Sequence, residues 1–119
     1  MKGISAYTEN EVTTQAPGRV VVLLYEGAIR FLRQAIDEMR QGRMVEKGQF
    51  VHKALAIIHE LDQALDMEAG GEVAANLRSL YQFMDRHLFQ ANARNDAQAV
   101  NEVIALLDDL NGGWKAITG

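Results

Sequence analysis

Cysteine is missing from these 119 residues. That excludes disulfides, thiolate metal sites and cysteine nucleophiles. It also fits a reducing compartment, so the expected location is the cytoplasm. Serine is scarce: only Ser5 and Ser79 occur, and neither lies in the Gly-x-Ser-x-Gly setting of a nucleophile elbow. Long apolar runs are missing as well. The longest, Val20 to Tyr25, is far below the ~20 residues of a membrane span. Met1-Lys2-Gly3-Ile4 leads into polar residues rather than the apolar stretch of a signal peptide. No membrane insertion is expected. An excess of one charge is also lacking. The net charge of −4 is spread out: residues 1–40 balance five basic against five acidic groups, while 41–69 and 70–119 each carry −2. No basic face for nucleic acid emerges.

The chemistry of catalysis and of cofactors is missing too. A di-iron bundle needs Glu-x-x-His on two helices. Three residues before His52, His59 and His87 stand Gln49, Ala56 and Met84 instead. His52 and His59 share a helix face with Asp62 one turn beyond, but they read as solvated or hydrogen-bonded histidines at helix edges, and no metal or other cofactor is expected. Gly70-Gly71 and Gly112-Gly113 lack the strand context and the Gly-Lys-Ser/Thr of a phosphate loop, and read as a turn and a terminus. The chain is not expected to be an enzyme.

What is present is helical periodicity. With 48% apolar residues the chain suffices for one compact domain. The single proline, Pro17, opens the first amphipathic pattern, where its fixed φ and missing N–H cost nothing. Val21, Leu24, Ala28, Phe31, Leu32, Ala35 and Met39 then recur at spacings of three and four up to about Arg40, and Gly42 follows. A second helix spans about Val45 to Leu65, with Val51, Ala54, Leu55, Ile58, Leu61 and Leu65 on its stripe. Gly70-Gly71 breaks the chain. A third helix carries Val73, Leu77, Leu80, Tyr81, Met84, Leu88 and Ala91 and ends near Asn92 to Asn95. Asp96 is placed to cap a fourth, whose stripe is Val100, Val103, Ile104, Leu107, Leu110, Trp114 and Ile117. The expected fold is all-α: an antiparallel up-down-up-down four-helix bundle over residues 17–119, with an irregular N-terminal segment, residues 1–16, packing on it. Leu24, Phe31, Ile58, Leu61, Leu80, Leu107 and Trp114 are expected in the core.

One stripe per helix leaves an apolar surplus. Val20, Val22, Ile36, Phe50, Ile57, Phe83, Phe89 and Leu106 all sit off the narrow seams. Singly such residues need no account. As a set they suit grooves that hold an amphipathic partner segment. The polar N-terminal stretch, with Ile4, Tyr7 and Val12 widely spaced, could cover such a groove or simply be a loosely ordered terminus.

The order of blocks is specific. Ala6-Tyr7-Thr8-Glu9-Asn10-Glu11-Val12-Thr13-Thr14, Pro17 and Leu23-Leu24-Tyr25-Glu26-Gly27-Ala28-Ile29-Arg30-Phe31-Leu32 come first. Ile57-Ile58-His59-Glu60-Leu61, Gly70-Gly71-Glu72-Val73-Ala74-Ala75-Asn76-Leu77, Leu80-Tyr81-Gln82-Phe83-Met84 and Glu102-Val103-Ile104-Ala105-Leu106-Leu107 with Trp114-Lys115 follow. This series resembles the flagellin-specific secretion chaperones, the FliS family, over nearly the whole chain. The resemblance implies a helical bundle that binds the unfolded C-terminal region of newly made flagellin, prevents its premature polymerisation and delivers it to the flagellar export gate. It also implies that the segment through Ile4 and Tyr7 folds over the flagellin-binding surface in the free chaperone. Partner-binding positions are then Ile4, Tyr7, Val12, Phe50, Ile57, Asn76, Phe83 and Leu106.

Two departures stand out. Where the family has a serine before the proline this chain has Ala16, so either Thr14 caps the first helix or the cap is weaker by about 1 kcal/mol. Glu26 replaces the aspartate of the family's Leu-Tyr-Asp-Gly block, a mild change. A reading of another class also fits the apolar surplus: a homo-oligomeric adaptor or structural bundle that buries this surface against a second copy without binding flagellin.

Overall fold

The computed structural model describes residues 13–118. Four helices occur among them: α1 (Gly18–Arg40), α2 (Met44–Gln63), α3 (Gly71–Arg94) and α4 (Ala97–Thr118). Each agrees with a periodic stretch of the sequence to within a few residues at its ends. Ile4, Tyr7 and Val12 lie outside the described residues.

The helix ends follow from local chemistry. Pro17 holds φ −56° and ψ 142°, and its carbonyl accepts the first bond of α1, from Val21 N at 3.1 Å. Thr14 does not cap α1. Its hydroxyl donates to Ala64 O at 3.2 Å and accepts from Ala16 N at 3.3 Å. Gln15 N donates to Ala64 O and Asp66 N to Thr13 O, both at 2.8 Å. These bonds tie the chain entering α1 to the end of α2, and the tertiary tie takes the hydroxyl that a local cap would have used. Gly42 turns the chain after α1 at φ +72° and Gly71 opens α3 at φ +53°, a region that favours glycine. Between α2 and α3 the backbones crowd Gly70, where a side chain would stand 2.7 Å from Asp66 O and 3.1 Å from Thr13 Cα. α3 closes on Asn95 in the left-handed conformation, with Asp96 N donating to Ala91 O at 2.9 Å. Asp96 Oδ1 then accepts from Ala99 N at 3.1 Å, the expected cap of α4.

Each helix has two neighbours: α1 packs on α2 and α4, and α3 packs on the same two. Neighbouring contacts run in opposite chain order. Gly27 faces Ile57 and Phe31 stacks on Phe50 between α1 and α2. Lys47 reaches Asn92 and Asp62 pairs with Arg78 between α2 and α3. That order is compatible with the up-down-up-down arrangement. One core cluster links all four helices, with Tyr25, Leu32, Ile58, Met84, Leu88, Val100, Val103 and Leu107 fully buried. Within it the hydroxyls of Tyr25 and Tyr81 lie 2.6 Å apart. Trp114 packs against the Tyr25 ring at a centroid distance of 6.5 Å.

The phase of α1 differs from the sequence reading. Its inner stripe is Val21, Tyr25, Ala28, Leu32 and Ala35, flanked by Ile29 and Ile36. Leu24 and Phe31 are half-buried at its edge, Leu80 is half-buried on α3, and Ile36 is buried rather than surplus. Six consecutive apolar residues from Val20 to Tyr25 allow either phase, and only packing selects one. α4 runs unbroken through Gly112 and Gly113 to Thr118, so this glycine pair is not a terminus.

Candidate functional site

The two sides of the bundle differ. Between α1 and α2 the outer apolar groups satisfy one another. Phe31 stacks on Phe50 at 6.3 Å, and the Lys53 ammonium lies 5.5 Å and 5.6 Å from the two ring centroids. One turn along, Ile57 fills the space over Gly27: a methyl there would stand 3.3 Å from Ile57 Cδ1. Phe50 and Ile57 are accordingly half-buried.

Between α3 and α4 Phe83 and Val73 are exposed, and Leu80, Leu106, Leu110 and Ile117 are half-buried beside them. Asn76, Leu80, Phe83 and His87 follow at three and four residues on α3, and Glu102, Leu106, Leu110, Gly113 and Ile117 do so on α4. His87 Nε2 lies 3.5 Å from Glu102 Oε1, within ion-pair range though not a hydrogen bond. Leu77 and Leu110 share one cavity wall. Together these contacts place Phe83 level with Leu106. Phe83 is 42% exposed and stacks on the His87 ring at 4.9 Å. Leu106 is half-buried beside the core, and Asn76 is exposed.

Toward the α1 entry the strip deepens into a cavity of about 180 Å³ lined by Thr13, Val73, Leu77, Leu110, Gly113, Trp114 and Ile117. All but Thr13 are apolar or glycine. Val73 remains 46% exposed at its rim. The sequence reading assigned Val73, Leu77, Leu110, Trp114 and Ile117 to the core stripe and missed this cavity. The available signal was the glycine pair inside a helical period. Thr13, the first described residue, sits in the cavity wall.

Of the expected positions, Asn76, Phe83 and Leu106 therefore share the α3/α4 face, while Phe50 and Ile57 belong to α1/α2. Among the described residues no group of three or more histidine or acidic side chains is placed to hold a metal, and no helix is long and apolar enough to cross a membrane.

The comparison with known proteins is specific. The family model described as flagellar protein FliS matches residues 1–119. The chain belongs to the FliS family. The flagellar secretion chaperone FliS of Salmonella typhimurium is 43% identical over 98% of this chain and 90% of its own length. FliSB of Pseudomonas aeruginosa is 38% identical over 99% of this chain and 97% of its own, and FliS of Bacillus subtilis 34% identical over 93% and 82%. These FliS relatives are named as chaperones and not as enzymes, in agreement with the sequence reading.

Proposed function

We propose that this protein is a flagellar secretion chaperone that holds the C-terminal segment of newly made flagellin in the cytoplasm and hands it to the flagellar export gate. The observation that carries the reading is the open apolar strip between α3 and α4, in a chain of the FliS family. Phe83 and Leu106 form its middle, Asn76 its polar edge, and the cavity beside Trp114 its deep end. An amphipathic segment laid along this strip exchanges water for apolar contact, as helix-in-groove partners do. Phe50 and Ile57 offer a shallower second strip for the remainder of the segment. Ile4, Tyr7 and Val12 act as a displaceable lid, attached at the groove through Thr13. Closure of that lid lowers the apparent affinity in proportion to the fraction of open protein.

Calorimetry with a peptide of the cognate flagellin C-terminal region tests the proposal. Binding is expected at one peptide per chain, with a gain in helicity by circular dichroism and a negative heat-capacity change. The absence of binding heat across temperature, or an obligate dimer that closes the α3/α4 strip, would overturn it.

A further inference from the structure

Helix α4 carries two adjacent glycines, Gly112 and Gly113, inside its span Ala97–Thr118. Glycine is the least favourable helix residue after proline, because it loses the most backbone freedom on folding and brings no side chain to pack. Nothing in the backbone requires glycine here. Neither residue has positive φ, and a methyl added to either would find no atom within 4 Å. Their surroundings separate them. Both glycines are exposed, but Gly113 lines the apolar cavity with Leu77, Leu110, Trp114 and Ile117, whereas Gly112 does not.

We propose that Gly113 is a specificity-determining residue of the client groove: its missing side chain keeps open a cavity that receives one bulky apolar side chain of the flagellin C-terminal segment. This inference rests on the client proposed above. Leu77 and Leu110 of the cavity stand one turn from Leu80 and Leu106 of the strip, so an amphipathic helix seated on that strip presents a residue to the cavity every three or four positions. Among the described residues its walls offer little polar surface, the Thr13 hydroxyl and the Trp114 indole N–H. Leucine, isoleucine, methionine or phenylalanine fits such a lining, whereas a charged or amide group would enter without partners enough to replace water. Gly113 is part of that lining, so a side chain there adds volume at the cavity wall. The glycine therefore weakens α4 in the free protein and leaves room for the client.

The test uses the full chain and a cognate flagellin C-terminal peptide, with the variants Gly112→Ala, Gly113→Ala and Gly113→Leu. Both alanine variants are expected to raise Tm by about 4 °C, since each improves a helix interior without a clash. Gly112→Ala leaves the peptide Kd unchanged. Gly113→Ala weakens binding several-fold and Gly113→Leu by about ten-fold or more, as the cavity fills. Wild-type affinity in Gly113→Leu would overturn the proposal, and so would equal losses in the two alanine variants. A wild-type protein that fails to bind the peptide would instead overturn the client reading, before any variant is compared.

Discussion

At the scale of single residues the buried tyrosine pair is the most consequential contact. Tyr25 is shared: its hydroxyl lies 2.6 Å from that of Tyr81, and its ring packs against Trp114. A buried hydroxyl left without a partner costs about 1–3 kcal/mol. Tyr25→Phe strips Tyr81 of its partner and is expected to lower stability by about 1–3 kcal/mol in urea unfolding. Tyr81→Phe strips Tyr25 in the same way and should lose a similar amount. A loss confined to one variant would show that the two hydroxyls do not depend on each other. The sequence brought Tyr25 forward as part of the Leu-Tyr-Glu-Gly block, but not as the centre of the core. Its apolar neighbours on both sides hid the helix phase, and its partner is 56 residues away.

At the scale of elements, α4 owes its start to one side chain. Asp96 Oδ1 accepts from Ala99 N, directly after the left-handed turn at Asn95. Asp96→Ala is expected to cost about 1 kcal/mol, read as a Tm lower by about 4 °C, with helicity otherwise retained. An unchanged Tm would mean that the α3–α4 turn holds without the cap. Such caps are legible because donor and acceptor lie three residues apart. Thr14 marks the opposite case. It has the composition of a cap for α1, yet its hydroxyl is committed to Ala64 on the preceding side of the α2–α3 turn, a partner that local sequence does not name. The glycine pair in α4 likewise reads as an end by composition and as a helix by packing.

At the scale of the whole molecule, burial raises the pKa of both Tyr25 and Tyr81 above the ordinary value of 10, with desolvation the largest cause in each case. The folded state therefore keeps two protons that the unfolded chain releases. The stability involved is fully present below pH 10 and is lost as pH rises from there toward the folded values, by up to about 1.4 kcal/mol per pH unit for each tyrosine. Denaturant titrations should show an alkaline decline beginning near pH 10 and shallower in Tyr81→Phe. An identical slope in the variant would remove the pair as its cause. The apolar periodicity determined on its own that this chain forms four helices, because burying one stripe per helix is a constraint written in every few residues, and the ordered residue blocks carried its resemblance to the FliS family. Only the tertiary structure decided which apolar residues are left over. Phe31 and Phe50 cover each other while Phe83 and Val73 stay open, and Gly113 fronts a cavity while Gly112 does not. Surface left after packing depends on which helices meet and at what height, and contacts between distant segments fix that.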